Sequence, residues 1–212
     1  MRSADWYFDF VSPFSYLALH RLAELPGLKI TYRPVLFAGL LAHWGQKGPA
    51  EVPAKRRWTY RFCAWQAARL GVPFRFPASH PFNPLHHLRL AIAAGATEHA
   101  VQRIFEALWT SGAEATDPAA FAQLTRALDV SEERLSAQEV KDTLRRNTED
   151  AATRGVFGVP TLAIAGELFW GLDAIELARA WLADPGVLDN AEMRRLEELP
   201  VGAARRGSEP PA

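Results

Sequence analysis

Ser12 and Ser15, in Ser12-Pro13-Phe14-Ser15, stand at the spacing of a C-P-x-C pair with hydroxyls where such a motif carries thiols. They follow the apolar run Trp6-Tyr7-Phe8-Asp9-Phe10-Val11 and lead into Phe14, Leu17, Ala18, Leu22 and Leu25. That spacing predicts a strand turning at Ser12 into a helix N-terminus. The first turn of a helix carries unpaired N–H groups and the positive end of the macrodipole, which favour a negative sulfur or oxygen by about 0.3–2 kcal/mol. Cysteines at such positions are activated as thiolates. Two hydroxyls cannot cycle between dithiol and disulfide, so any thiol chemistry here requires a thiol brought by a ligand. Serine is also a preferred N-cap and proline a preferred first helical residue, so a purely structural role stands beside the chemical one.

A second segment bears on that choice. Gly155-Val156-Phe157-Gly158-Val159-Pro160-Thr161 precedes Leu162-Ala163-Ile164 and places a proline at the start of a short strand, a position tolerated at an edge or in a cis turn. A strand, SPxx and a helix early, with VPT and a strand late, make up the thioredoxin-like pairing. The chain resembles the DsbA-like branch of the thioredoxin superfamily, and within it the 2-hydroxychromene-2-carboxylate isomerases and their kappa-class glutathione transferase relatives. The resemblance is nearly full length. It rests on Phe8-Asp9-Phe10-Val11-Ser12-Pro13-Phe14-Ser15-Tyr16-Leu17, on Pro53-Ala54-Lys55-Arg56 with Gly71-Val72-Pro73-Phe74-Arg75-Phe76-Pro77, and on Gly155 to Thr161 with Phe169-Trp170-Gly171-Leu172-Asp173.

The resemblance implies an α/β, thioredoxin-like fold with a large all-helical insertion, and glutathione as cofactor. It makes Ser12 the catalytic residue. A serine hydroxyl with no adjacent base is a weak nucleophile, so Ser12 is read as a donor that stabilises the glutathione thiolate. Val159 before a cis Pro160 would bond the cysteinyl backbone like an added strand. Trp170, Gly171, Leu172 and Asp173 would meet the γ-glutamyl end, although Asp173 also fits as an N-cap. The implied substrate is a small aromatic carboxylate, 2-hydroxychromene-2-carboxylate, whose flat anion asks for apolar walls and cationic donors. His43-Trp44, Lys47, Lys55, Arg56 and Asn83 supply those types. Lys55 is the best placed, because Pro-Ala-Lys-Arg matches the family motif. Basic residues in a row are also an ordinary solvated face, and Asn83 fits equally as an N-cap. Two other readings stay open: a kappa-like transferase or peroxidase that consumes glutathione, and a cysteine-less DsbA-like protein that binds peptides.

Composition narrows the class. The 212 residues are 49% hydrophobic and 23% charged, with 24 basic and 24 acidic side chains, so no global field recruits nucleic acid or an anionic membrane. The N-terminus lacks a long apolar stretch and no run of about 20 apolar residues follows, which reads as a cytoplasmic protein without a membrane span. A homodimer is compatible with the sequence. The single cysteine, Cys63, excludes an intramolecular disulfide and reads as a small buried hydrophobe. No metal site is expected; His86-His87 adjoin on a helix, face different directions and read as surface.

Periodicity predicts a strand over 4–11, a helix over 13–25 and a strand over 28–35, a βαβ unit. A helical stretch follows: Val101, Ile104, Phe105, Leu108 and Trp109 share one face, Asp117-Pro118 opens another helix, and Ser136-Ala137-Gln138-Glu139 reads as a capping box opening a third, to about Arg154. Thr161–Ala165 and Leu168–Trp170 read as a hairpin, and a helix from Asp173 to Ala183 closes the fold. The domain reading is 1–36 with 154–200 as the thioredoxin-like part, 37–153 as the helical insertion, and 201–212 as a disordered tail.

Overall fold

Trp6 and Phe8 need apolar cover on one face of the first strand and Tyr7 needs it on the other. In the computed structural model, which describes residues 1–203, that strand accordingly lies inside the sheet. The elements run β1 (Arg2–Phe8), α1 (Pro13–Leu19), β2 (Leu28–Pro34), α2 (Phe37–His43), α3 (Pro53–Leu70), α4 (Leu85–Ala93), α5 (Glu98–Trp109), α6 (Pro118–Ala127), α7 (Glu132–Ser136), α8 (Gln138–Thr153), β3 (Thr161–Ile164), β4 (Glu167–Trp170), α9 (Ala174–Ala183) and α10 (Ala191–Glu197). The sheet order is β2-β1-β3-β4. β1 and β2 are parallel, with Phe8 opposite Pro34; β1 and β3 are antiparallel, with Tyr7 opposite Thr161, which in turn faces Trp170 of β4. This register has a functional consequence: the chain leaves β1, β2 and β4 and enters β3 at the same end of the sheet.

Apolar burial on both faces stabilises this arrangement. Trp6, Phe8 and Phe10 meet Phe105 of α5 with ring centroids 4.6–6.3 Å apart, and Trp109 stacks on Phe74 and Tyr16. Tyr7, on the opposite face, packs with Val35, Leu40, Val156, Val159 and the end of α8. Burying aromatic side chains of this size contributes roughly 1.5–3 kcal/mol each. Cys63 is fully buried and burial pushes its thiol up to about 12, so it stays protonated and inert.

Several boundaries differ from the sequence expectation. The first strand stops at Phe8 rather than Val11, because the Asp9 carboxylate accepts the Val11 N–H and the Asp9 carbonyl accepts that of Ser12, turning the chain. The first helix ends at Leu19, and a short 3₁₀ turn over Leu22–Glu24 replaces its last turn. Ser136 is not the cap of α8. It is the last residue of α7, its hydroxyl donates back to the Glu133 carbonyl, and α7 itself is capped by Ser131. α10 lies beyond the expected closing helix, capped by Asn190. Of the expected tail, residues 204–212 lie outside the described residues.

His87 is not a surface residue. It is 4% exposed, packed edge-on against Phe121, and burial pushes its imidazole down to about 4. A folded pKa below the ordinary 6.5 means that the unfolded chain takes the proton first as pH falls. The His87 contribution to stability is therefore intact above neutrality and is lost from about pH 6.5 through 4. Asp9, raised by burial, titrates with the opposite sign, so urea denaturation at pH 7.5 and 4.5 should show the His87 loss of about 2–3 kcal/mol as the difference between the native chain and a His87 variant. His20 and His80, also shifted down by burial, add to it in the same direction. The variant His87→Leu should lose its share of this slope; an unchanged slope would contradict the assignment.

Candidate functional site

The loop from Asp9 to Ser12 is held from several directions. Asp9 is 0% exposed, and its two carboxylate oxygens accept N–H bonds from Val11 at 3.0 Å and from Phe37, at the start of α2, at 2.8 Å. Burial pushes this carboxyl up to about 7, opposed by the bonds from Val11, Phe37 and Phe10. The indole N–H of Trp109 donates to the Phe10 carbonyl at 2.9 Å. His80 Nε2–H donates to the Val11 carbonyl at 2.8 Å, and the Tyr60 hydroxyl, 2.7 Å from His80 Nδ1, also donates to the His80 carbonyl. Side chains from the helical region thus fix the two carbonyls just before Ser12.

Ser12 is 6% exposed and is the N-cap of α1, its Oγ accepting the Ser15 N–H at 3.2 Å. That bond uses a lone pair and leaves the hydroxyl proton uncommitted among the described residues. The capping reading and the donor reading are therefore compatible. Ser15, at the second position of the motif, is fully buried and its hydroxyl has no partner among the described residues.

The late segment arrives at the same end of the sheet. Val159-Pro160 is a cis peptide, as the sequence suggested, and neither the N–H nor the carbonyl of Val159 makes a hydrogen bond among the described residues. The Pro160 carbonyl accepts the Gly171 N–H at 2.9 Å, which brings Trp170, Gly171, Leu172 and Asp173 beside the proline. Gly171 has φ +96, a backbone conformation that calls for glycine, and the Asp173 carboxylate lies close over its Cα. Asp173 precedes α9 without a capping bond from its side chain, and its carboxylate folds back toward Gly171. Leu172 is buried and its carbonyl accepts from Arg21 at 3.2 Å. The Trp170 indole, half-exposed, lies against Gly158 and meets Phe157 edge-on at 4.9 Å.

The proposed substrate residues are less concentrated. The Trp44 indole donates to the Val156 carbonyl at 3.0 Å, tying the end of α2 to the segment before Val159. Lys47, Lys55 and Arg56 are exposed, the last two in the first turn of α3, and the Arg56 charge acts on the hydroxyl of Tyr60, the partner of His80. Asn83 Oδ1 accepts the Leu85 N–H at 3.0 Å in a turn just before α4, whose N-cap is Pro84, so Asn83 is not the N-cap that the sequence allows. The sequence alone assigns Asp9, Tyr60, His80 and Trp109 no part in the site. The only local signal was the placement of Asp9 beside Ser12 and of His80 before a proline.

A family model described as the DSBA-like thioredoxin domain matches residues 4–183. The 2-hydroxychromene-2-carboxylate isomerase of Pseudomonas putida is 32% identical over 181 residues, covering 81% of this chain and 89% of that one. The chain belongs to the DSBA-like thioredoxin family, in its 2-hydroxychromene-2-carboxylate isomerase group. A solved structure of a 2-hydroxychromene-2-carboxylate isomerase superposes with a TM-score of 0.75 at 27% identity, covering 90% of this chain and 98% of the other. The family also reaches the kappa transferases: glutathione S-transferase kappa 2 of Caenorhabditis elegans is 25% identical over 205 residues, covering 85% and 91%. Among the described residues, no helix is long and apolar enough to cross a membrane.

Proposed function

We propose that this protein is a cytoplasmic, glutathione-dependent isomerase that converts 2-hydroxychromene-2-carboxylate, or a related aromatic-degradation intermediate, to trans-o-hydroxybenzylidenepyruvate. The observation that carries the reading is the Ser12 hydroxyl proton, uncommitted at the N-terminus of α1, at the same end of the sheet as an unpaired Val159 backbone. The residues present fit glutathione part by part. Val159 offers a free N–H and carbonyl to the cysteinyl backbone, Asp173 a carboxylate without a capping bond to the γ-glutamyl ammonium, and Trp170 a half-exposed flat wall.

Glutathione held by Val159, Asp173 and Trp170 would supply a thiolate nucleophile for reversible addition to the conjugated ring-opened substrate, acting as a cofactor and not as a consumed reagent. The chain's own work is electrostatic and positional. Ser12 donates its proton toward negative sulfur while the first-turn N–H groups of α1 add the positive end of the helix, lowering the cost of holding that charge. Asp9, Trp109 and His80 keep the loop rigid, so that donor and substrate meet without reorganisation. Lys47, Lys55 and Arg56 provide cations for the substrate carboxylate, with Trp44 as an apolar wall.

With catalytic glutathione, purified protein should shift the absorbance of 2-hydroxychromene-2-carboxylate toward the trans-pyruvate while the thiol titre stays constant. Stoichiometric thiol loss would replace this reading with the transferase, which the kappa relatives favour and which would use the same Ser12, Val159, Pro160 and Asp173. No turnover, together with no glutathione binding by calorimetry, would leave a peptide-binding protein.

A further inference from the structure

Helices α2, α4 and α8 line an open groove of about 360 Å³ that shares no residue with the proposed glutathione site, although its His43 adjoins Trp44 in sequence. Leu36, Leu85 and Leu144 form apolar walls, and four basic side chains, His43, Arg89, Lys141 and Arg145, line the same space. The opposing acid there is Glu149, which Arg145 approaches at 3.9 Å while it also holds Asp142 at 2.9 Å. The Thr148 hydroxyl is already used, donating to Leu144 and accepting from Leu36. Arg89 and Lys141 make no ion pair among the described residues. Arg89 Nε is also buried without a hydrogen-bond partner among them.

A buried guanidinium N–H with no acceptor is costly, and a half-buried cation beside a second unpaired one compounds the cost. An anion in the groove offsets the unpaired charges of Arg89 and Lys141, while the covered Arg89 Nε–H gains no acceptor from it. The planar fork of arginine suits a carboxylate, and the leucine walls require that the anion carry an apolar body. The volume is at the small end of ligand pockets, enough for one or two fused rings. We infer that this groove binds a small aromatic carboxylate, with Arg89 and Lys141 holding the carboxylate and Leu36, Leu85 and Leu144 covering the rings. This site is separate from the glutathione site and does not depend on the isomerase reading.

The probe is sodium 2-naphthoate, titrated calorimetrically into the full chain with saturating glutathione present. Saturable binding is expected, with one component weakened at least tenfold by Arg89→Gln and by Lys141→Gln and persisting in Lys55→Gln, which weakens only binding beside Ser12. Lys141 is only partly buried, so its variant keeps the test open if Arg89→Gln does not fold. Three results would overturn the inference: no binding; binding lost in Lys55→Gln but retained in Arg89→Gln and Lys141→Gln, which would move the ligand to the Ser12 side; or inorganic phosphate competing as well as naphthoate, which would remove any role for the apolar walls. Each is distinguishable from failure of the isomerase reading, because none is read from turnover.

Discussion

Replacing Ser12 by alanine is expected to lower isomerase kcat by about 10²-fold, the usual loss when one preorganised donor to a developing or resting anion is removed. The same substitution should cost only about 1 kcal/mol of stability, because what the fold loses is one N-cap bond, from the Ser15 N–H at 3.2 Å. The two effects separate because the Ser12 oxygen accepts from the fold with a lone pair and donates to the ligand with its proton. A second variant tests that division. Ser12→Asp retains a capping oxygen but carries no proton at neutral pH and adds a negative charge beside the sulfur, so it should keep stability and lose activity at least as severely as alanine. The thiolate absorbance of bound glutathione, followed against pH, gives a readout independent of turnover: its apparent pKa should rise toward that of free glutathione in Ser12→Ala. Full activity in the alanine variant would reduce Ser12 to a cap.

Local motifs make half of this site legible in the sequence. Ser12-Pro13 states a helix start within two residues, Val159-Pro160 states a strand entry, and the Gly171 turn before Asp173 is set by neighbours in sequence. The strands and the hairpin were legible for the same reason, since β3 and β4 alternate over a two-residue turn at Ala165-Gly166. What was not legible acts across the fold. Trp109 reads as one more apolar residue on α5, and only the packing turns its indole N–H toward the Phe10 carbonyl. His80 and Tyr60, 20 residues apart, become one hydrogen-bonded unit only when α3 packs beside the following loop. Ser136 shows the converse failure. Its capping-box spacing is satisfied on paper, but Ser131 had already started α7, and that helix runs through Ser136 before Ala137 breaks it. His87 looked like half of an exposed pair because adjacent helical residues point apart. That geometry sent His86 to solvent and His87 into the core.

Asp9 is where the largest stability effect is expected, and asparagine is the sharpest probe of it. Both carboxylate oxygens accept backbone N–H groups, from Val11 at 3.0 Å and from Phe37 at 2.8 Å, in a site closed to solvent. Asparagine preserves the shape but can present an oxygen to only one of them; in either orientation its NH₂ faces a donor and one buried N–H goes unpaired. Two unsatisfied buried groups at about 1–3 kcal/mol each predict a loss of about 2–6 kcal/mol. The pH dependence carries a definite sign. Burial raises the Asp9 carboxyl from 3.8 to about 7, so the native protein's stabilisation from this group is complete below pH 3.8 and declines as pH rises through 7. The asparagine variant does not titrate there, and the other groups titrate in both proteins. The stability gap measured by urea denaturation should therefore be wider at pH 5 than at pH 8. A gap that widens toward pH 8 would mean that the N–H bonds outweigh burial and hold Asp9 ionised below its ordinary range. Activity in the variant should fall further than its unfolded fraction explains, because the loop that Asp9 anchors to α2 is the one that aims Ser12.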